Sequence, residues 1–260
     1  MNFDKYVICR SLFGGFQFVV LLLLSMGAAH AGTVSFCFSD WPPYSMMKDG
    51  EAQGVSIEIL KQAAQRADLK PSFQELPWNR CLQMVKAGEI DAVIDAAKRK
   101  EYLQGDITHS VYTNTFWVRA DDPVKEIDIE HFNGRSIGLV AGYKYAEPLD
   151  SILADARLKK EYSKDDTTNI RKLSFGRIDV IIGDYVGTRS FADKNGLSLR
   201  PILPSYSVDR LYPSFNLQKS DVHERLNEGL RAITKEGIVD AIYKRALGIT
   251  FTALSHSTRD

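Results

Sequence analysis

One phrase occurs twice in this sequence, and it constrains the fold more than any other feature. KAGEIDAVID covers residues 86–95, and LSFGRIDVIIGD covers residues 173–184. Each copy joins the end of an apolar-periodic helix to a glycine, Gly88 or Gly176, that is positioned like a helix C-cap. Ile-Asp then opens a β-branched run, which is too short for a helix and is typical of a buried parallel strand. The repeated unit predicts two similar α/β lobes, and clefts between domains are where small ligands bind.

The first 31 residues have the pattern of a secretory signal peptide. Lys5 and Arg10 form the positive region, residues 16–26 are mainly apolar, and Ala29-His30-Ala31 fits an A-x-A cleavage site. The apolar region is shorter than the roughly 20 residues that span a membrane. No later segment of the sequence is long enough to do so. We therefore expect a periplasmic protein whose signal peptide, residues 1–31, is cleaved after Ala31.

Charge and motifs argue against several functional classes. The sequence has 33 basic and 33 acidic residues without a basic stripe, whereas nucleic-acid binding relies on neutralising phosphates. It contains no P-loop, G-x-G-x-x-G, G-x-S-x-G or H-E-x-x-H motif. We therefore expect no nucleic-acid partner, no cofactor, no metal and no catalytic residues.

Cleavage of the signal peptide leaves two cysteines, Cys37 and Cys81, in an oxidising compartment. They form a disulfide in one interpretation. In the other they are two buried small hydrophobes, because Cys37 lies within a predicted strand and Cys81 near a helix start. The sequence does not say whether their Cα atoms come within bonding range, so both interpretations stay open.

Predicted strands and helices alternate along the mature chain, which indicates a parallel or mixed α/β sheet. The strands are predicted over 34–38, 73–76, 92–94, 116–118, 136–140 and 180–182. Helices are predicted from Gly54 and Pro77 onward, around Ile170 and Leu173, from Asp184 to about Lys194, and over 146–156, 221–235 and 238–247. Residues 201–213 are extended and proline-rich and return the chain to the first lobe. We expect the polar tail from Thr250 to be disordered.

Six segments, in this order, resemble the extracellular solute-binding proteins of family 3, the polar-amino-acid class that delivers ligands to ABC importers. They cover most of residues 34–248, and the LPWNR sequence is similar to a divergent branch of that family. The segments are SDWPPYS, GVSIEIL, LPWNRCLQMVKAGEIDAVIDA, the glycine-containing turn after SIGLV, SFGRIDVIIGD and LNEGLRAITKEGIVDAIYKRALG.

The resemblance implies the two-lobed periplasmic-binding-protein fold of type II, which closes on its ligand like a hinge. Lobe 1 would comprise residues 32–119 and 213–260, and lobe 2 residues 120–212. The two crossings between the lobes would lie near residues 119–121 and 207–209. We expect the protein to be a monomer.

The resemblance also implies which charged residues hold the ligand. Arg99 lies at the position of the carboxylate-binding arginine, and a guanidinium binds carboxylate through two parallel hydrogen bonds. The alternative is a solvated charge in the basic run 98–100. Asp184 matches the carboxylate that pairs with the ligand's ammonium group, at a strand end where α/β sheets bind ligands; its alternative is a helix N-cap. Asp95 holds a comparable place in lobe 1 and is the weaker candidate, because the family usually has a small residue there.

The remaining candidates come from two segments near the expected cleft and from one predicted strand. Tyr44 matches the aromatic residue that covers the ligand side chain. Trp41 and Trp117 are candidates for its walls, although aromatic residues are more often in the core, and Asp40 lies in the same loop as Trp41. Trp78 and Arg80 begin a helix, whose N-terminus attracts anions. Arg80 has a salt bridge to Glu75 or Glu58 as its alternative role.

Three departures from the family put a standard α-amino-acid pocket in doubt. Ala96-Ala97-Lys98 stands where hydroxyl residues usually precede the arginine. Tyr143-Lys144 replaces small hydroxyl residues in lobe 2, and Lys144 is either an anion ligand or a solvated lysine. Ser56 stands where the family often has Asp. The ligand is therefore expected to be an amino acid, a modified amino acid or another small anion.

The predicted function is that of a periplasmic solute-binding protein that delivers a small polar ligand to the permease of an ABC importer. A soluble sensor that presents its closed form to a membrane receptor is the first alternative. A periplasmic dehydratase or lyase on the same fold is the less favoured one, since fold alone does not fix function.

Overall fold

The computed structural model of the protein describes residues 32–145 and 147–256. The predicted signal peptide lies outside these residues, as does the first residue of the helix predicted over 146–156. No helix within the described residues is long and apolar enough to cross a membrane.

Strands and helices alternate as the sequence predicts, and the described residues contain ten strands. In chain order the strands are β1 Gly32–Phe38, β2 Met46–Lys48, β3 Glu51–Gln53, β4 Leu69–Glu75, β5 Ala92–Ala96, β6 Ser110–Arg119, β7 Ser136–Val140, β8 Lys159–Ser163, β9 Val180–Asp184 and β10 Leu199–Phe215.

The described residues contain eight α-helices and one 3-10 turn over Ile129–Phe132. In chain order the helices are α1 Val55–Arg66, α2 Trp78–Ala87, α3 Leu149–Leu153, α4 Asp166–Ser174, α5 Tyr185–Lys194, α6 Ser220–Lys235, α7 Ile238–Leu247 and α8 Phe251–Ser255. The helix predicted over 146–156 is therefore present as the much shorter α3.

Eight strands form one mixed sheet in the order β4-β1-β5-β10-β6-β9-β7-β8. β1 pairs in parallel with β4 and β5, and β7 pairs in parallel with β8 and β9. Between these two sets, β6 and β10 are antiparallel to each other and to the strands beside them. This is the predicted two-lobed fold. Lobe 1 is built on β1, β4 and β5, lobe 2 on β7, β8 and β9, and β6 and β10 connect them.

Each lobe has a core on both faces of its part of the sheet. In β1, Val34, Phe36 and Phe38 belong to the core that includes α1, whereas Cys37 between them belongs to the core under α2. In β9, Val180 and Ile182 likewise belong to one core and Ile181 to another. Burial of alternate residues on opposite faces explains why these strands read as continuous apolar runs.

The repeated Ile-Asp phrase performs the same structural task in both lobes. The Oδ2 atom of Asp91 accepts hydrogen bonds of 2.8 Å from the backbone N–H and from the hydroxyl of Ser35 in β1. The Oδ2 atom of Asp179 accepts bonds of 2.9 and 2.8 Å from the same groups of Ser136 in β7. Each serine hydroxyl also accepts a bond from the backbone N–H of its aspartate, at 3.0 and 3.1 Å. These two pairs, the Asp–Ser locks, fix the first strand of each lobe beside the repeated strand.

The glycines before these aspartates have the predicted backbone conformation. Gly88 is the C-cap of α2 with a φ of 80°. Gly176 follows Phe175, the C-cap of α4, with a φ of 66°. A left-handed residue at this place lets the chain leave the helix and enter the next strand.

The question of the two cysteines is answered by a disulfide between Cys37 in β1 and Cys81 in α2, with Cα atoms 5.7 Å apart. Both residues are fully buried. The bond therefore ties α2, which begins with Trp78 at the cleft, to the central strand of lobe 1.

The prediction that the chain is disordered after Thr250 is wrong for residues 251–255, which form α8. The hydroxyl of Thr250 caps this helix by accepting a hydrogen bond from the backbone N–H of Ala253. Phe251 and Leu254 are buried, and the Phe251 ring packs 5.2 Å from that of Tyr243. Two apolar residues three positions apart give one helical turn an apolar face, which orders the segment.

Candidate functional site

A cavity between the lobes is lined by charged, polar and aromatic side chains. We call it the cleft cavity. Its volume is about 40 Å³, which is room for roughly three water molecules at the ~10–15 Å³ that each requires. Lobe 1, lobe 2 and the connecting strands all line it: Trp41, Trp78, Asp95, Ala97 and Arg99 from lobe 1, Tyr143, Lys144 and Tyr145 from lobe 2, and Tyr112, Asn114, Asp209 and Leu211 from β6 and β10.

The lobes touch each other beside this cavity. The carbonyl oxygen of Gly142 in lobe 2 accepts hydrogen bonds from Arg99 Nη2 at 2.6 Å and from Trp78 Nε1 at 3.1 Å. Lys144 Nζ donates a bond of 3.2 Å to the carbonyl oxygen of Lys98. A Cβ atom on Gly142, whose φ is 82°, would lie 2.1 Å from Asn79 Oδ1. Only glycine fits this contact without displacing Asn79.

Aromatic rings form most of the cavity wall. The rings of Trp41 and Tyr112 are stacked with their centroids 5.7 Å apart. The Tyr143 ring meets both Tyr112 and Trp78 edge to face, at 5.8 and 5.7 Å. The guanidinium group of Arg99 lies over the Trp78 ring, 5.9 Å from its centroid. Such a wall presents negative ring faces, which attract cations as well as apolar groups.

Asp95 is the acidic residue of lobe 1 in this wall. It lies near the end of β5 with a φ of 56°, in the left-handed region that residues other than glycine seldom occupy. Its Oδ1 atom accepts hydrogen bonds from the hydroxyls of Ser56, at 2.8 Å, and Ser110, and lies 2.9 Å from His109 Nε2. Its Oδ2 atom is buried and has no hydrogen-bond partner among the described residues. One carboxylate oxygen is thus held by the protein and the other is not.

Asp184 has a different environment, although it ends the equivalent strand of lobe 2. Its Oδ2 atom accepts a hydrogen bond of 2.7 Å from the backbone N–H of Gly187 and so caps α5. Its Oδ1 atom accepts bonds of 2.9 and 2.6 Å from the backbone N–H and hydroxyl of Thr113. Burial raises the pKa of Asp184, and these bonds only partly offset that effect. Asp184 does not line the cleft cavity, so its geometry is that of the helix cap.

Asp166, at the start of α4, adds a third carboxylate close to the cavity. Its two oxygens accept hydrogen bonds from the hydroxyls of Tyr112, at 2.6 Å, and Tyr143, at 2.9 Å. Burial raises the pKa of Asp166 to about 6, and the charge of Asp184 contributes, while the two tyrosine hydrogen bonds act in the opposite direction. This carboxylate therefore fixes the position of two rings of the cavity wall.

The structure brings together five of the ten residues that the sequence predicts for the site: Trp41, Trp78, Arg99, Tyr143 and Lys144. The other five lie elsewhere. Asp40 and Asp184 line a smaller hollow next to Trp41. Tyr44 and Trp117 are fully buried in the cores of lobe 1 and lobe 2. Arg80 is exposed and makes no ion pair among the described residues, since Glu58 pairs with Arg245 instead.

Sequence reasoning missed the residues that β6 and β10 contribute. Tyr112 and Asn114 alternate along β6, and Asp209 and Leu211 alternate along β10, so each pair lies on one face of its strand. Asn114 Nδ2 joins the two strands by donating hydrogen bonds of 3.0 Å to Asp209 and to Ser207. The position of these strands could have indicated them. A strand that crosses between two lobes runs along the cleft, so every second side chain on it faces the cleft.

A larger hollow of about 870 Å³ lies between α5, the irregular part of β10 around Pro204 and the chain from Ala246 to Leu254. Its lining is mostly apolar, and Arg189 is its one charged residue within the described part of the chain. The guanidinium of Arg189 lies over the rings of Trp117 and Tyr185, at 5.7 and 5.9 Å from their centroids. The hollow contains no carboxylate, so it lacks the paired charges of the cleft cavity.

Comparisons with known proteins agree with this architecture. Residues 35–249 match the model of the bacterial extracellular solute-binding proteins, family 3. The arginine-binding periplasmic protein of Mannheimia haemolytica is 23% identical over 239 residues, which are 88% of this chain and 97% of that protein. The L-cystine-binding protein TcyJ of Escherichia coli (strain K12) is 22% identical over 219 residues, 82% of this chain and 81% of that protein.

Solved structures share the fold at similarly low sequence identity. An ancestral arginine-binding protein bound to arginine has a TM-score of 0.74 and 20% identity, and the match covers 84% of this chain and all of that one. A histidine kinase sensor domain with similarity to periplasmic binding proteins has the same TM-score and identity, with 85% and 99% covered.

Proposed function

The chain belongs to the bacterial extracellular solute-binding proteins of family 3, and we propose that it captures an amino acid or related polar molecule between its lobes for an ABC importer. The curated relatives reported above are binding proteins for arginine and L-cystine, not enzymes. Their names support an amino acid as the ligand class. A family of binding proteins also agrees with the prediction that the chain is not an enzyme.

One observation carries the proposal: the cleft cavity is lined by charged and aromatic residues of both lobes, and both cations and a carboxylate are among them. Arg99 of lobe 1 supplies a cation for the ligand's carboxylate, and its Nε atom is buried without a partner among the described residues. Trp41 and Trp78 form the walls on the lobe 1 side, and Tyr143 with Lys144 the side of lobe 2. The ligand contacts both lobes only when the cleft is closed, so binding shifts the population toward closure.

Binding also requires movement, because the cleft cavity is smaller than an amino acid. In this structure Tyr143 fills space between Trp78, Tyr112 and Asp166. Separation of the lobes breaks the contacts of Gly142 with Arg99 and Trp78 and carries Tyr143 away from Trp78. Tyr143 therefore acts as the lobe 2 wall that closes over the ligand.

The lobe boundaries remain a proposal, and the strand pairing supports a change to one of them. Residues 114–117 of β6 already pair with β9 of lobe 2. The first crossing therefore fits residues 111–114 better than the predicted 119–121. The second crossing, predicted at residues 207–209, lies on β10 where that strand pairs with Asn114, Thr113 and Tyr112 of β6.

A sensor role remains the second candidate, because the histidine kinase sensor domain matches the fold as well as the arginine-binding protein does. The same cavity and closure would then be read by a membrane receptor instead of a permease. Adjacent permease and ATPase genes would support import, and an adjacent kinase or cyclase gene would support sensing. For both candidate functions we propose that the protein is exported, that its signal peptide is cleaved after Ala31 and that it is a monomer.

Thermal unfolding of the exported protein against a panel of amino acids, amines and small organic acids tests the proposal. A ligand at 100 times its Kd adds roughly 2.7 kcal/mol of stability. For a chain of this size that amounts to a shift of about 5–10 °C. A shift of this size from one class of compound supports capture of a small ligand, and no shift from any compound contradicts it.

A further inference from the structure

We propose that Asp95, and not Asp184, is the carboxylate that accepts the ligand's cationic nitrogen. The cleft cavity would therefore select ligands that carry an ammonium or another cationic nitrogen group. This inference rests on the proposed function, because it concerns the same cavity, and it assigns a chemical class to the ligand.

The first argument is the unequal environment of the two Asp95 oxygens. The side chain of Asp95 is only 7% exposed. Ser56 and Ser110 hold Oδ1, which also lies 2.9 Å from His109 Nε2, whereas Oδ2 is buried without a partner among the described residues. A buried acceptor that lacks a donor is costly, and more so when it carries charge. Asp95 lines the cleft cavity, so the cationic donor of a ligand that widens this cavity can supply the missing partner.

The second argument is the backbone of Asp95. Asp95 has its φ of 56° within strand β5, whereas Asp49 and Asp68, the other non-glycine residues with positive φ in the described part of the chain, lie in turns. Strained residues of this kind persist where the surrounding structure fixes them, and they cluster at binding sites. Here the neighbouring residues Val93 and Ala96 are fully buried, and the two serine hydroxyls fix the side chain. The conformation is therefore held at a position that lines the cavity.

The third argument is the composition of the wall around Asp95. Trp41, Trp78, Tyr112, Tyr143 and Tyr145 line the same cavity. Ring faces attract cations, most strongly where water is excluded, and aromatic cages recognise alkylated ammonium groups in this way. Arg99 and Lys144 line the cavity too, so an anionic group of the ligand can be accommodated beside the cationic one.

Asp184 does not meet the criteria for the acceptor of the ligand's cationic nitrogen, which are an oxygen without a partner and a place in the cavity wall. Each of its oxygens already accepts hydrogen bonds from the protein, from Gly187 on one side and Thr113 on the other. Asp184 also does not line the cleft cavity, so a ligand bound there does not contact it. Asp184 is therefore a structural residue, and its loss affects folding before it affects recognition.

Calorimetric titration of the exported protein tests the inference with two matched substitutions, Asp95→Asn and Asp184→Asn. The probes are L-arginine, L-lysine, L-histidine, L-glutamine, agmatine and putrescine, and the nitrogen-free acids lactate, succinate and glutarate. Thermal unfolding of each variant without ligand accompanies the titrations. The best binder of the wild-type protein is then titrated into both variants.

We expect the best binder to carry a cationic nitrogen and the nitrogen-free acids to bind at least tenfold more weakly. Asp95→Asn should weaken that binder by about tenfold or more, as expected for loss of a charged hydrogen bond, without lowering the unfolding temperature. Asp184→Asn should lower the unfolding temperature and change the affinity of the remaining folded protein less than about threefold.

Two results overturn the inference while the proposed function stands. One is a nitrogen-free acid as the best binder. The other is an affinity in Asp95→Asn within about threefold of wild type. Absence of binding by every probe instead contradicts the proposed function itself, together with the inference that depends on it.

Discussion

Arg99 in lobe 1 donates a hydrogen bond of 2.6 Å from Nη2 to the carbonyl oxygen of Gly142 in lobe 2. Trp78 Nε1 donates to the same oxygen at 3.1 Å. The arginine that the sequence predicts as a ligand residue is therefore also a contact between the lobes. Burial lowers the pKa of Arg99, and its guanidinium group lies over the Trp78 ring. Ligand recognition and closure are thus linked through one side chain.

Arg99→Ala should weaken ligand binding by at least about tenfold, because it removes both the charged hydrogen bonds to the ligand and the contact with Gly142. Arg99→Lys should recover only part of this loss, since an ammonium group lacks the planar fork of donors. Calorimetric titration measures both effects. Arg80→Ala is the matched control, because Arg80 is exposed and outside the cavity, and its affinity should stay within about twofold. A larger loss in Arg80→Ala than in Arg99→Ala would contradict the assignment.

Gly142→Ala should hinder closure, because the added Cβ atom would lie 2.1 Å from Oδ1 of the exposed Asn79 side chain, which has to turn away, and 3.2 Å from Trp78 Cδ1. The expected result is an affinity that is weaker by about threefold or more and a smaller decrease in the radius of gyration when ligand is added, measured by small-angle X-ray scattering. Gly134→Ala is the control. Its φ of 75° imposes a similar backbone penalty, but a Cβ atom there meets nothing within 4 Å.

If the contact between a Cβ atom at residue 142 and Asn79 limits closure, a second substitution at Asn79 should restore ligand affinity. Asn79→Ala combined with Gly142→Ala should restore part of the lost affinity, because the obstructing amide is gone. Equal affinity of the single and double variants would show that backbone strain at residue 142, and not the clash, limits closure.

The Asp–Ser locks should stabilise each lobe separately. Ser136→Ala and Asp179→Ala both remove the hydrogen bond between the Ser136 hydroxyl and Asp179 Oδ2, so together they should show a coupling free energy of about 1 kcal/mol or more. Ser136→Ala and Asp91→Ala lie in different lobes and should be additive within about 0.5 kcal/mol. Urea unfolding of the single and double variants gives these values. Equal coupling in both combinations would contradict the separate role of each lock.

The pH dependence of stability should report on Asp166. Its pKa rises from 3.8 to about 6 on folding, so the folded state favours the protonated carboxyl. The contribution to stability is present below about pH 4 and is lost as the pH rises to 6, with a total of about 3 kcal/mol. Tyr112 and Tyr143 face this group as hydrogen-bond donors, and Asp184 and Asp165 add negative charge.

Relative to wild type, Asp166→Asn should therefore gain stability between pH 4 and pH 7, as measured by urea unfolding at several pH values. The exposed substitution Asp193→Asn should follow wild type throughout. Parallel curves for wild type and Asp166→Asn would show that Asp166 does not titrate in this range.

The fold could be predicted from the sequence because its signals are local and repeated. Gly88 and Gly176 mark the two helix ends, and the β-branched runs after them are the strands β5 and β9, which lie beside the connecting strands β10 and β6. The family resemblance supplied the order of the segments. The disulfide and the helix α8 could not be predicted with the same success, since both depend on distances across lobe 1. Phe251 and Leu254 carried an apolar signal, but too short a one to indicate a helix.

The site was only partly predictable, for two physical reasons. Asp184 and Asp95 end equivalent strands, and the sequence does not show which carboxylate already has donors from the protein. Thr113, which donates hydrogen bonds to Asp184, is 71 residues away from it in the sequence. Tyr112 and Asn114 precede the predicted strand 116–118, and Asp209 lies in a segment predicted only as extended and proline-rich, so the alternation that turns these residues toward the cleft was not predicted. Tyr44 and Trp117 follow the more common behaviour of aromatic residues and pack in the cores.

Tryptophan fluorescence of the Trp117→Phe variant tests the central claim, that the ligand occupies the cleft cavity, most directly. The chain has three tryptophans, and this substitution leaves only Trp41 and Trp78, which line the cavity. Titration with the best binder should give a saturable change in emission, with a Kd equal to that from calorimetry on the same variant. Unchanged emission at a ligand concentration that saturates the calorimetric signal would place the ligand elsewhere and contradict the account.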